Sequence, residues 1–143
     1  MASIMPENSK LFCIDDWTAD SDIAILSTPG LDEKRKILYQ QFLSNVKHHK
    51  LCDKIIPMRM KTLEAASMLN VKADLIYVDA SHDEKSVYED VMAWLPHLEK
   101  GGIMCGDDWQ FFGISAAVTR VCREQGKILK VEGNFWWFEP ELS

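Results

Sequence analysis

Apolar positions along the chain come in two arrangements: short unbroken runs, and longer stretches in which apolar residues return every three or four positions. The first predicts buried strands and the second helices with one apolar face. Leu11 to Ile14 is a run that stops at Asp15-Asp16. Asp32 suits the cap of a helix from Glu33 to about Lys50, with Leu38, Phe42 and Val46 as its stripe. Ile55 to Met60 reads as a second strand, and Thr62 caps a short helix through Leu63, Ala66 and Leu69. Leu75 to Val78 is a third strand, again ending at an acid, Asp79. From Asp83 onward, Val87, Val91, Trp94, Leu95 and Leu98 describe a helix that Pro96 and Gly101-Gly102 bring to an end. Ile103 to Cys105 is a fourth strand, followed by Gly106-Asp107-Asp108. Ile114, Ala117, Val118, Val121 and Cys122 form the stripe of a last helix closed by Gly126, and Lys127 to Glu132 and Phe135 to Glu139 flank the hairpin link Gly133-Asn134.

Strands without alternation, separated by amphipathic helices, predict an α/β fold: a mostly parallel sheet covered on both faces and finished by an antiparallel C-terminal hairpin. A length of 143 residues, with 47% hydrophobic and 27% charged, suits one domain around one core. The polar stretch from Trp17 to Leu31 is long enough for a functional flap. A formal charge of -6, with both signs interspersed, offers no basic stripe, so nucleic acid and anionic membrane are not expected partners. No apolar run reaches the roughly 18 to 20 residues of a membrane span, and Met1 to Lys10 lacks the pattern of a secretory leader, so a cytoplasmic protein is expected. Cys13, Cys52, Cys105 and Cys122 lack metal-site spacing and read as reduced thiols.

Ligands of such sheets sit beyond the carboxyl ends of the strands, where this chain places Asp15-Asp16, Asp79 and Asp107-Asp108. A right-handed crossover favours pairing of the strands that end at Asp79 and Asp107, which would bring those termini within about 5 Å of each other. Carboxylates at that spacing suit a hard divalent cation such as magnesium. Each acid alone also suits a turn or a helix cap. The aromatic run Phe135 to Phe138 is read as core on both faces of the hairpin or as a contact in a homo-oligomer.

The run DLIYVDASHDEKSVYEDVMAWLPHLEKGGIMCGDDW resembles the fourth-strand to fifth-strand core of class I S-adenosylmethionine-dependent methyltransferases, and LFCIDDW resembles their second strand. FLSNVKHHKLCDKIIPMRMKTLEAA is similar to the intervening helix and third strand, and EGNFWWFEP to the closing hairpin, so the likeness covers Leu11 to Pro140. The resemblance implies a Rossmann-like fold, S-adenosylmethionine as cofactor and a small-molecule acceptor. It assigns Asp15 to the ribose hydroxyls and Thr62, Ala80 and Ser81 to the adenine pocket. In the metal-dependent O-methyltransferases, of which catechol O-methyltransferase is one, Asp79, Asp107 and Asp108 match the acids that hold the divalent metal. His82 falls at the position of a basic residue there, so His82 or Asp79 is the implied base; the plainer role for His82 is a hydrogen bond to the helix start. The resemblance departs at the N-terminus. Met1 to Lys10 holds no glycine, where the family carries a first strand and a glycine-rich turn, so an N-terminally truncated form of the fold is expected. The empty slot would lie between the strands ending at Asp15 and Asp79. A catalytically silent binding or oligomerisation domain is therefore the alternative to an enzyme.

Overall fold

The computed structural model describes residues 2–17, 31–79 and 81–141, with side chains from residue 37 onward in the second stretch. The chain divides into two compact units, Met1–Ala65 and Ala66–Ser143. Hydrogen bonding sorts the strands into two sheets. The expected flap lies almost wholly outside the described residues, as does Ala80.

In the first unit, β1 (Leu11–Asp15) pairs in parallel with β2 (Ile55–Arg59), from Leu11 opposite Ile55 to Asp15 opposite Arg59. They are joined through α1 (Leu31–His48), which begins one residue before the expected cap, Asp32. The inward side of α1 is Tyr39, Phe42, Leu43 and Val46, at helical spacing. Leu38, expected in the stripe, is 41% exposed; Tyr39 replaces it because Trp17 packs against Tyr39 and Phe42, with ring centroids 4.8 and 5.1 Å away. The Arg59 guanidinium covers the Tyr39 ring at 5.1 Å, a cation–π contact that closes this cluster. The next helix, α2 (Thr62–Met68), spans the boundary between the units. Thr62 is its first helical residue rather than its cap, since the carbonyl of Lys61 accepts from the Ala65 amide.

The second unit runs β3 (Ala73–Val78), α3 (Glu84–Trp94), a 3-10 turn at Leu95–His97, β4 (Leu98–Gly106), α4 (Phe112–Gln125), β5 (Leu129–Glu132) and β6 (Phe135–Phe138). The sheet order is β3-β4-β6-β5, with β3 and β4 parallel and the other pairs antiparallel. The parallel pairing of the strands before Asp79 and Asp107, and the C-terminal hairpin, are as expected. Strand β4 starts earlier than Ile103, because Gly101 and Gly102 form a bulge instead of a helix stop. Gly101 takes φ +79°, and a Cβ on Gly102 would meet the Asp74 carbonyl at 3.0 Å, while the register steps from Ala73–Leu98 to Leu75–Ile103.

Helices α3 and α4 lie on one face of this sheet. Val87 and Val91 from α3, and Ile114, Ala117, Val118 and Val121 from α4, enclose Met104, Trp136 and Phe138. Burying a side chain of that size contributes about 1.5–3 kcal/mol, so these few residues dominate the unit's stability. The alternate positions Leu75, Tyr77, Ile103 and Phe135 keep 37–47% of their surface. The four cysteines are free thiols, as expected, and burial pushes Cys13, Cys105 and Cys122 above the ordinary thiol range. Among the described residues no helix is long and apolar enough to cross a membrane.

Candidate active site

Strands β3 and β4 end in register, with Val78 opposite Gly106, so the residues that follow them emerge side by side at the carboxyl end of the sheet. Asp79, Ser81, His82, Asp107 and Asp108 line one small cleft there, together with the apolar Val78, Val87, Ile114 and Trp136. Its free space is about 10 Å³, which is about one water-sized sphere. Five of the candidate residues expected from the sequence are thus brought together.

Within the cleft, His82 Nε2 lies 3.0 Å from Asp108 Oδ2. Asp108 takes φ +57°, a left-handed conformation that turns its side chain back toward the loop after β3. Gln110 Nε2 donates to Asp108 Oδ1 at 3.2 Å and Asn134 Nδ2 to the same oxygen at 3.4 Å. These donors, His82 first, hold the Asp108 carboxyl below its ordinary range, so it is ionised near neutral pH. An ionised Asp108 accepts, so Nε2 carries the imidazole proton when His82 is neutral, and Nδ1 becomes the nitrogen able to take a proton.

Three neighbouring elements fix this pair. The Phe111 ring lies 4.5 Å from the His82 ring. The hairpin tip between β5 and β6 clamps the acid loop, since Asn134 O accepts from the Trp109 amide at 3.1 Å and Asn134 Oδ1 from the Gln110 amide at 3.1 Å. Gly113 in the first turn of α4 packs directly on the backbone after β3: a Cβ there would lie 2.1 Å from the His82 carbonyl oxygen. Tyr77 adds a hydrogen bond to Asp107; burial, then that bond, pushes its hydroxyl up to about 12.

The other expected residues are placed as follows. Ser81 Oγ donates to Asp83 Oδ2 at 2.6 Å, and Asp83 caps α3 by accepting from the Ser86 amide at 3.0 Å. The helix start is therefore capped by Asp83, and His82 is not needed for it. Asp15 and Thr62 belong to the first unit; Asp15 Oδ1 accepts from the Trp17 amide at 2.7 Å. The acids supply the hard oxygen donors that magnesium prefers, but as the side chains stand no three His, Cys, Asp or Glu among the described residues gather closely enough to hold one ion. The Asp108 carboxylate is engaged by His82, Gln110 and Asn134 instead. Sequence reasoning missed Gln110, Phe111, Gly113 and the supporting role of Asn134. Only Asn134 carried a signal, and it was that of a turn residue.

Acids that follow paired parallel strands stand where α/β sheets bind their ligands. The sequence profile of the methyltransferase domain family matches residues 1–109, and the chain belongs to that family. No curated protein matches the chain. Among solved structures, the O-methyltransferase NovP is similar with a TM-score of 0.69 at 11% identity, over 93% of this chain and 60% of that one. A Corynebacterium glutamicum protein gives 0.64 at 15%, over 97% and 64%. CalS11, a TDP-rhamnose 3'-O-methyltransferase of calicheamicin biosynthesis, gives 0.55 at 14%, over 91% and 58%. The fold is thus that of class I methyltransferases, and the chain spans 58–64% of the length of these three proteins.

Proposed function

We propose that this chain serves S-adenosylmethionine-dependent methylation of a hydroxyl on a small molecule. The observation that carries the reading is the single cleft shared by Asp79, Ser81, His82, Asp107 and Asp108 beyond β3 and β4. In this scheme the acceptor oxygen attacks the methyl carbon of the sulfonium, the carbon–sulfur bond breaks to leave the neutral thioether, and the hydroxyl proton passes to His82 Nδ1. Asp108 fixes the imidazole so that Nδ1 is the accepting nitrogen and stabilises the cation formed on protonation. Asp79 is the second proposed base, and Asp15 the proposed partner of the ribose hydroxyls. The adenine contacts are assigned by resemblance to Thr62, Ala80 and Ser81; Ser81 would exchange its bond to Asp83 for that role.

Assistance by a divalent cation such as magnesium belongs to the same proposal, with Asp79, Asp107 and Asp108 as its ligands. The cation would supply Lewis-acid polarisation of the acceptor oxygen. For these residues to hold it, Asp108 must turn from His82 toward Asp79 and Asp107.

Calorimetric titration with S-adenosylmethionine and S-adenosylhomocysteine, with and without magnesium, tests the reading. Heat with saturation is expected for both nucleosides. No heat at millimolar ligand would sink the enzyme and leave a silent methyltransferase-like binding domain. For the metal, Asp108→Ala is expected to weaken magnesium binding at least tenfold; unchanged affinity removes Asp108 from the ligand set.

A further inference from the structure

Among the described residues, the indole nitrogen of Trp136 is the buried side-chain nitrogen or oxygen that has no hydrogen-bond partner. Trp136 is 1% exposed, and its N–H is a donor with no acceptor capacity. Buried donors are seldom left unmade, because the group has lost water without a replacement. The ring stands at the end of β4: a Cβ on Gly106 would be 2.8 Å from Trp136 Cε2, the carbon bonded to Nε1. Gly106 directly precedes Asp107-Asp108, and Trp136 lines the same cleft as Asp79 and His82. The cleft's space suits one oxygen-sized guest.

We propose that the Trp136 N–H donates to the acceptor oxygen of the substrate in this cleft and selects an oxygen nucleophile over a protonated amine. The inference rests on the methyltransferase reading and adds the residue that recognises the nucleophile. A hydroxyl both donates and accepts. Its proton finds His82 Nδ1 or a carboxylate, and its lone pair receives the indole N–H, so every group is satisfied. An ammonium offers only protons; it would suit the carboxylates and leave the indole unpartnered. As the hydroxyl loses its proton the oxygen gains charge, and a hydrogen bond to an oxyanion is stronger than one to a neutral oxygen. The indole cannot take the proton itself, which leaves that step to His82 or Asp79.

The test is a two-dimensional nitrogen–proton spectrum of chain labelled at its five tryptophans. Trp136→Phe identifies the Trp136 indole peak. Should that variant not fold, Phe substitution of Trp17, Trp94, Trp109 and Trp137 identifies it by elimination. Catechol is the hydroxyl probe and benzylamine the ammonium control, each titrated with and without magnesium, and S-adenosylmethionine binding is measured in parallel by calorimetry. The Trp136 indole proton is expected to move downfield, saturably, with catechol and to stay with benzylamine. A peak that does not move with catechol, or moves equally with both probes, overturns the inference whatever the nucleoside does. Nucleoside heat beside a stationary peak leaves methyl transfer standing without this contact. A catechol shift without nucleoside heat sustains the oxygen site and sinks methyl transfer.

Discussion

Asp90 gives the sharpest quantitative prediction. It lies on the buried face of α3 beside Val87 and Val91, with 5% of its surface exposed. Burial first, then the negative charges of Glu89 and Asp83, push its carboxyl from the ordinary 3.8 to about 6. The folded chain therefore prefers the neutral acid. Below pH 3.8 the folded and unfolded chains both hold the proton and no penalty arises. Between 3.8 and about 6 the unfolded chain ionises first, so this group makes stability fall as pH rises; above about 6 the penalty is complete. At about 1.4 kcal/mol per pH unit, that interval amounts to about 3 kcal/mol. Asp90→Asn keeps the volume and removes the ionisation, at the cost of two new N–H donors, so a net gain of about 1–3 kcal/mol is expected at pH 7.5. Urea denaturation followed by circular dichroism, at pH 4 and pH 7.5, reads the difference between the two proteins. The variant should gain on the original chain as pH rises from 4 to 7.5. A variant less stable at pH 7.5, with a difference that does not change with pH, would refute the reasoning and require a favourable partner for ionised Asp90.

Asp83→Ala removes the cap of α3 and should cost about 1 kcal/mol by urea denaturation at pH 6. The bond from Ser81, the largest cause, and those from Ser86 bring the Asp83 carboxyl down to about 2, so its contribution is complete above 3.8 and lost as pH falls through about 2. The gap between the two proteins should close in acid. Gly113→Ala places a methyl 2.1 Å from the His82 carbonyl oxygen, inside any allowed contact, so the backbone after β3 must move. A loss of about 1–3 kcal/mol is expected, together with displacement of the His82 ring signals in a proton–carbon spectrum.

The elements of the second unit were legible because each rests on local chemistry. Asp83 caps α3, the spacing of Ile114, Ala117, Val118 and Val121 fixes α4, and Gly126 at φ +65° ends it. The acids were legible for the same reason: they follow directly on strands whose pairing the crossover rule dictates. Features that depend on long-range contact were not legible. Gly101-Gly102 looks like a helix stop until β3 packs beside it, and Leu38 and Tyr39 are equally apolar until Trp17 selects one. Trp136 belonged in an aromatic hairpin that predicts core, and it is core; that its ring lines the cleft of the acids follows only from the placement of β6 next to β4. The left-handed turn at Asp108 has only a weak local signature: aspartate tolerates that conformation better than most residues, but nothing in the run Gly106-Asp107-Asp108-Trp109 demands it.

That turn decides how the candidate site works, because two roles compete for Asp108. Directed at His82, its carboxylate fixes an imidazole tautomer, as the proposed base would need; directed at Asp79 and Asp107, it would complete a set of hard oxygen donors. One side chain does not do both with the same oxygen. Gln110 and Asn134 donate to Oδ1 while His82 meets Oδ2, so the loop and the hairpin tip together favour the first role. A cation entering the cleft must draw Oδ2 away from His82, which would free Nε2 and with it the choice of tautomer. In the proposed reading, the contact to His82 and a cation at the acids would compete for a single carboxylate, and each would weaken the other by the same free energy.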